Sequence, residues 1–180
     1  MTSIDLLLKR QSTPLLTTPA PTRQDLDKIL AAGMRVPDHA CLQPWHYTVV
    51  TGEGLQRLSD LLVKSSDSQS ANLTKIAKMP FRAPMIIVVS TEFVQHEKVP
   101  TQEQLITAGC GAHAMQMAAG ALGYGAMWRT GSLAYNEKVK QGLAVKEHDE
   151  IVGFLYIGTP CKEQVLKKAK CFENKVSYWK

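Results

Sequence analysis

Three short groups of residues in this chain have the types and spacing needed to hold an anionic or carbonyl-rich ligand. Arg10 and Ser12 lie two residues apart where a first helix is predicted to end, and a guanidinium with a nearby hydroxyl suits a phosphate group. Arg35 and His39 are four residues apart, and both can donate hydrogen bonds to the edge of a ring. The Gly-Ser-Leu turn at 131–133 offers free backbone N–H groups. Each group alone also has a simpler interpretation, as a surface arginine, an exposed loop histidine or an ordinary turn.

Motifs for several other kinds of chemistry are missing from the sequence. There is no glycine-rich dinucleotide fingerprint between a strand and a helix and no P-loop, and Gly123-Tyr124-Gly125 follows a helix instead. No serine lies in G-x-S-x-G, and no Cys-His pair suits a nucleophile. The four cysteines form no C-x-x-C, so we expect no metal site. An enzyme without its own acid, base or nucleophile depends on a cofactor for the difficult step.

The longest distinctive stretch has no charged residue between Glu103 and Arg129. Its first part predicts a helix rich in Ala, Gly and Met, and a helix without a charged face should be buried on most sides, Cys110 included. The stretch contains too little Leu, Ile, Val and Phe for a membrane span. It leaves the helix through Gly123 and continues into a short predicted strand, 126–130. This pattern predicts a platform for a flat ligand, while a plain core helix is the simpler interpretation.

Helices and strands alternate through the rest of the chain. Apolar and β-branched runs predict strands at 45–51, 85–89 and 151–157. Apolar spacing and capping residues predict helices at 3–10 with Ser3 as its cap, from 22 to about 36, around 55–62, and at 137–143 with Asn136 as its cap. The polar segment 65–78 predicts a loop with one helical turn near 73–77. The order indicates an α+β fold, an α/β sandwich with one mixed central sheet flanked by helices.

The net charge of +5 comes almost entirely from the end of the chain. Residues 161–180 contain six Lys and two Glu, which gives +4 and leaves +1 for residues 1–160. A basic terminal segment predicts a solvated tail rather than a nucleic-acid-binding face. We therefore expect one domain over 1–160, a Lys-rich C-terminal tail over 161–180, and neither nucleic-acid nor membrane binding. The first residues show no export signal, so the expected location is the cytoplasm.

Several short motifs, in their order along the chain, resemble the flavin-dependent nitroreductase family and most closely its short bacterial branch. They are Arg10-Gln11-Ser12, Arg35-Val36-Pro37-Asp38-His39, Gln43-Pro44-Trp45-His46, Phe81-Arg82-Ala83-Pro84, Ala108-Gly109-Cys110, Met115-Gln116-Met117-Ala118-Ala119, the stretch from Gly123 to Gly131, and the stretch from Val152 to Pro160. Each motif is modest, but their order makes the match specific. The chain departs from the family at Gln11, where a second Arg is common, and at Cys41, where many members have Asn.

The resemblance implies a nitroreductase-like fold and a homodimer with FMN at the interface, in which the uncharged helices of the two subunits pack together. It also implies that a hydride passes from NADH or NADPH through flavin N5 to a small flat electron acceptor, nitroaromatic or quinone-like. The flavin carries the chemistry, so no side chain is predicted to be catalytic. The alternative is a flavin-binding carrier or sensor with little turnover.

The resemblance also assigns binding roles by position. The phosphate and ribityl chain of FMN are expected at Arg10, Gln11 and Ser12. Arg35 and His39 are expected to reach the flavin from the partner subunit. The flavin of the first subunit is expected to lie against Gly131, Ser132 and Leu133. The NAD(P) cofactor is expected at Ala121, Leu122, Gly123, Tyr124, Gly125 and Ala126.

Overall fold

The structure, a computed structural model, describes residues 2–66, 72–163 and 165–180. Its helices are α1 (Ser3–Lys9), α2 (Arg23–Gly33), α3 (Glu53–Ser65), α4 (Leu73–Ala77), α5 (Thr101–Ala121) and α6 (Glu137–Gly142). Its strands are β1 (Leu16–Thr17), β2 (Trp45–Thr51), β3 (Met85–Thr91), β4 (Gly125–Arg129) and β5 (Ile151–Pro160). The predicted loop at 65–78 lies in part outside the described residues, and α4 supplies its predicted helical turn. None of the helices in the described ranges is long and apolar enough to cross a membrane.

The strands form one sheet in the order β1-β5-β3-β2, and β4 also pairs with β5. Every pairing among the described strands is antiparallel. The α+β fold is therefore confirmed, whereas the prediction of a mixed sheet is wrong. Alternation of helices and strands suggested parallel neighbours, but alternation alone does not fix strand direction: α3 and α4 lie between β2 and β3, and these two strands pair antiparallel.

Local capping interactions fix the ends of three helices. The N-cap of α1 is Thr2 rather than the predicted Ser3, which is instead the first residue of the helix. Thr2 and Asp5 form a reciprocal capping box. Hydrogen bonds from Thr2 lower the pKa of Asp5 to about 2. The Thr22 side chain caps α2, and the Asn136 side chain caps α6 as predicted.

Two apolar layers cover the two faces of the sheet. The layer on the α3 and α6 side contains Leu58, Ile86, Val88, Phe154 and Tyr156. The layer on the α2 and α5 side contains Ile29, Ile87, Val89, Met115 and Leu155. Alternate residues of β3 and β5 point into each layer, so these two central strands are buried on both faces, as the apolar run at 85–89 predicted.

Helix α5, which has no charged residue after Glu103, is buried on one side only. Its inner face, which includes Ala108, Ala112 and Met115, packs on the sheet and on α2. Its outer face carries Ile106, which is 60% exposed, and the exposed Cys110. The prediction of burial on most sides is therefore wrong for a single chain, because the polar residues of this helix do not mark one face: His113 is exposed, whereas Gln104 and Gln116 are buried.

A close approach of backbones fixes the junction between α2 and α5. The Tyr47 hydroxyl donates a hydrogen bond of 3.0 Å to the Gly33 carbonyl, directly beside Gly111 of α5. Burial raises the pKa of Tyr47, so its hydroxyl stays protonated and remains a donor. A Cβ atom at position 111 would collide with that hydroxyl.

We expect Gly111→Ala to lower the free energy of unfolding by about 1–3 kcal/mol relative to Gly120→Ala. Both substitutions raise the helix propensity of α5 by a similar amount, but an added Cβ at 120 meets only a Leu6 methyl group at 3.9 Å. Urea unfolding followed by circular dichroism measures the difference. Equal stability of the two variants would show that the Tyr47 contact relaxes without cost.

Candidate functional site

The segment that follows α1 is anchored beside β4. The backbone N–H of Thr13 donates to the Ala126 carbonyl at 3.0 Å, and the Gln116 side-chain amide of α5 donates to the same carbonyl at 3.2 Å. Arg10 is the C-cap residue of α1, three residues before this anchor. The anchor therefore sets the position of Arg10 and Ser12 relative to the last turns of α5.

Arg10 lies between two cavities. The first cavity, of about 540 Å³, lies between α1, the last turns of α5 and the start of β4. Among the residues that line it, Lys9, Arg10 and Lys162 are cationic and Glu163 is anionic. The second cavity, of about 470 Å³, is lined by Arg10, Ser12, His113, Gln116, Trp128 and Thr130. The excess of cations at the first and the guanidinium–hydroxyl pair at the second both favour an anionic ligand near Arg10.

The side chain of Gln11 binds the C-terminal tail. Its Nε2 donates to the Val165 carbonyl at 3.1 Å, and its Oε1 accepts a hydrogen bond of 3.1 Å from the Lys167 backbone N–H. The Cys161 N–H donates to the Leu15 carbonyl at 3.1 Å and extends the pairing of β1 with β5. The tail thus passes the predicted phosphate site, and Lys162 comes to the rim of the first cavity. The division into residues 1–160 and 161–180 stays a prediction.

The segment 121–126, predicted to bind the NAD(P) cofactor, lines the first cavity with its last three residues. Tyr124, Gly125 and Ala126 line that cavity together with Arg10, whereas Leu122 packs against the core. The Tyr124 hydroxyl donates to the Asp25 carboxylate at 3.0 Å, which ties the segment to the first turn of α2. The role of Ala121, Leu122 and Gly123 in cofactor binding stays a prediction.

The predicted turn at 131–133 lies at a third cavity. This cavity, of about 170 Å³, is lined by Gly131, Ser132 and Leu133 together with Arg82 and Arg129. Gly131 has φ 126°, which glycine adopts without strain, and a short helical turn begins at Ser132. Thr130 lines both the second and the third cavity, so the turn is next to the space beside Arg10 and Ser12.

His39 lies at the other end of α5, and Arg35 follows α2 with its backbone N–H bonded to the Ala32 carbonyl. The His39 Nδ1 atom is 3.0 Å from the Glu103 carboxylate in the first turn of α5. Gln116, beside Arg10, is thirteen residues further along, or about 20 Å of helix. A single chain therefore does not bring His39 to the cavities at Arg10, and its predicted approach to the flavin requires a second subunit.

Other residues of these cavities were not assigned a role from the sequence. Gln116 is only 6% exposed and holds the Ala126 carbonyl, and Trp128 forms a wall of the second cavity. Gln116 appeared in the sequence as part of the motif Met115-Gln116-Met117-Ala118-Ala119, without a binding role. Arg129 ends the uncharged stretch and lies 47 positions after Arg82. No short motif in the sequence indicates that these two arginines line the same cavity.

Comparison with known proteins identifies the family. A sequence model described as the nitroreductase family matches residues 7–159. The Escherichia coli (strain K12) protein named "Putative NAD(P)H nitroreductase YdjA" is 45% identical over 163 residues, which cover 89% of this chain and 89% of that protein. The chain therefore belongs to the nitroreductase family, as its motifs predicted.

Solved structures share the fold. A nitroreductase-like family protein from Bacillus cereus has a TM-score of 0.87 at 22% identity, covering 99% of this chain and 96% of that chain. A nitroreductase with bound FMN from Bacteroides fragilis NCTC 9343 has a TM-score of 0.76 at 20% identity, covering 98% of each chain. At these identities the likeness establishes the nitroreductase fold.

Proposed function

We propose that this protein is an FMN-dependent oxidoreductase that passes a hydride from NADH or NADPH to nitroaromatic or quinone-like acceptors. The observation that carries the proposal is the convergence of Arg10 and Ser12 with the buried Gln116 at one cavity, in a chain of the nitroreductase family. The relatives' names support NAD(P)H as the electron donor, and the FMN-bound neighbour supports the flavin.

The residues present at this cavity fit FMN. A guanidinium and a hydroxyl are the donors that a phosphate group requires, and Arg10 and Ser12 supply them. Trp128 and the side chain of His113 add planar surfaces to the wall of the same cavity of about 470 Å³. Gly131, Ser132 and Leu133 lie beyond Thr130, where they would line a ring that extends from the phosphate site.

Bound FMN would supply the hydride transfer, and the chain would supply position. Arg10 and Ser12 would hold the phosphate. Gln11 lies between them in the sequence, and its side chain hydrogen-bonds to the backbone of the C-terminal tail. Tyr124, Gly125 and Ala126 would contact the nicotinamide cofactor from the first cavity. Gly125 is required by packing, because an added Cβ would lie 2.6 Å from the Leu16 side chain.

We also propose that the protein is a homodimer. The exposed face of α5 is uncharged from Leu105 to Ala121, which suits packing against the same face of a second copy. In that arrangement Arg35 and His39 of one subunit would complete the flavin site of the other. The cytoplasmic location also stays a prediction.

The visible spectrum and turnover of the purified protein test the proposed function together. We expect the absorption bands of bound oxidised flavin, their bleaching by NADH or NADPH under nitrogen, and steady oxidation of the nicotinamide when a nitroaromatic or a quinone is added. Free FMN at the same concentration is the control. Bound flavin that neither nicotinamide reduces would contradict the oxidoreductase and favour the carrier or sensor.

A further inference from the structure

Two arginines on the α3 side of the sheet have no acidic partner among the described residues. Arg82 ends the short helical turn Pro80–Arg82, and Arg129 ends β4. Both are half-buried, and within the described ranges neither side chain forms an ion pair or a hydrogen bond. The Nε atom of Arg129 is fully buried without a partner there. A buried, unsatisfied guanidinium nitrogen is costly, so the arrangement requires an explanation.

The electrostatics of this arginine pair are unfavourable as it stands. Burial, and then the charge of Arg82, lower the pKa of Arg129. The guanidinium of Arg129 lies 5.5 Å from the centroid of the Tyr156 ring, a cation–π contact. Burial raises the pKa of Tyr156, so its hydroxyl remains neutral and supplies no compensating charge. Two like charges therefore share a half-buried site without a counterion from the described part of the chain.

Two cavities with partly apolar walls adjoin the two guanidinium groups. One is the third cavity described above, of about 170 Å³, where Leu62, Met79 and Phe154 face the turn that the proposed flavin uses. On another side, both arginines line a further cavity of about 450 Å³ with Pro14, Leu15, Leu16 and Cys161. No Asp or Glu is among the described residues that line either cavity.

We propose that Arg82 and Arg129 form a binding site for a small molecule with one oxyanion group on an apolar body. The planar guanidinium fork is the best protein donor for a carboxylate or a phosphate, and two forks without a counterion leave a place for that group. The apolar wall favours a ligand whose remaining atoms are hydrocarbon, ring or chain. The third cavity shares the turn at 131–133 with the proposed flavin, so in the FMN-saturated protein the ligand site is the cavity of about 450 Å³, where Pro14, Leu15 and Leu16 form the apolar wall beside both arginines. Binding there does not depend on flavin reduction.

Calorimetric titration of the FMN-saturated protein tests this site directly. Benzoate and phenyl phosphate are the two probes. Each carries one oxyanion, a carboxylate or a phosphate, on the same phenyl ring, and benzyl alcohol is the neutral control. We expect at least one anionic probe to bind and to lose about tenfold or more in affinity in both Arg129→Gln and Arg82→Gln. The tighter of the two probes then identifies the oxyanion. Arg57→Gln, which removes an exposed arginine of α3, should bind the probe as wild type does.

Several results would overturn the proposal. Absence of binding by both probes, equal binding of benzyl alcohol, or unchanged affinity in Arg82→Gln would each do so. Inorganic phosphate binding as tightly as phenyl phosphate would contradict the apolar body. If Arg129→Gln fails to fold, Arg82→Gln and Arg82→Lys decide: Lys keeps the charge but loses the fork, so Arg82→Lys should recover only part of the affinity. Because heat of binding is measured rather than turnover, a protein without oxidoreductase activity would still answer the question.

Discussion

Ile106→Glu is expected to convert the protein from a dimer to a monomer at micromolar concentration. Ile106 is 60% exposed on the outer face of α5, within the stretch that has no charge between Glu103 and Arg129. A carboxylate buried between two such helices would lose its hydration without gaining a lysine or arginine partner from that face, because the stretch between Glu103 and Arg129 contains neither. Desolvating an unpaired charge costs several kcal/mol, so we expect the dimer dissociation constant to rise at least about a hundredfold.

Sedimentation velocity over a range of concentrations measures this change, and Ile106→Val is the matched control. Valine keeps the face apolar and removes only one methylene, so the dimer should persist. Circular dichroism should show that Ile106→Glu folds, because the side chain is exposed in a single chain. A wild-type protein that sediments as a monomer, or a Glu variant that stays dimeric, would contradict the proposed interface.

The same substitution should also weaken FMN binding if Arg35 and His39 act across the interface. In one chain His39 contacts Glu103, about 20 Å of helix away from Gln116 and the cavity at Arg10. Loss of the partner would therefore remove those two donors while leaving Arg10 and Ser12 in place. Weaker FMN binding in a folded monomer would link the two parts of the predicted site.

The fold could be predicted where local sequence carries a strong signal. The run at 85–89 is apolar at every position, which suits a strand covered on both faces, and the strand was found there. Asn136 was recognised as a cap because an asparagine directly before a helix typically accepts hydrogen bonds from the N–H groups of the first turn. β1 was missed because it contains only Leu16 and Thr17, and a strand of two residues shows no alternation to detect.

Strand direction and helix exposure could not be predicted, because both depend on distant contacts. β2 and β3 pair antiparallel although helices connect them, and no residue of either strand specifies that direction. The outer face of α5 has the same Ala, Gly and apolar composition as the inner face. Only the position of α2 and the sheet decides that Met115 is buried and Cys110 is exposed.

The candidate site shows the same division between local and distant signals. Arg10 and Ser12 are two residues apart, so their joint suitability for a phosphate was visible in the sequence, and the structure places both at one cavity. Arg82 and Arg129 belong to different elements, and only the folded sheet brings their guanidinium groups together. A motif search therefore finds the first pair and overlooks the second.

Arg10→Ala is expected to weaken FMN binding by about ten- to a hundredfold, the value of a charge-assisted hydrogen bond to a phosphate. Arg10 is the cationic residue that lines both the second cavity, with Ser12, and the first cavity, with the predicted nicotinamide segment. Its neighbour Lys9 lines the first cavity but not the second, and its Nζ atom forms an ion pair with the Asp5 carboxylate at 3.1 Å. Lys9→Ala is therefore the matched control, and it should change FMN affinity much less.

A comparison of two flavins separates a phosphate contact from a general loss of structure. FMN and riboflavin differ only by the phosphate, so the wild-type protein should bind FMN more tightly, and Arg10→Ala should lose most of that preference. Quenching of flavin fluorescence measures both affinities under the same conditions. Equal weakening of FMN and riboflavin by Arg10→Ala would assign Arg10 to holding α1 in place instead. Unchanged affinity for both would leave Ser12 and the tail residue Lys162 as the remaining donors near the phosphate.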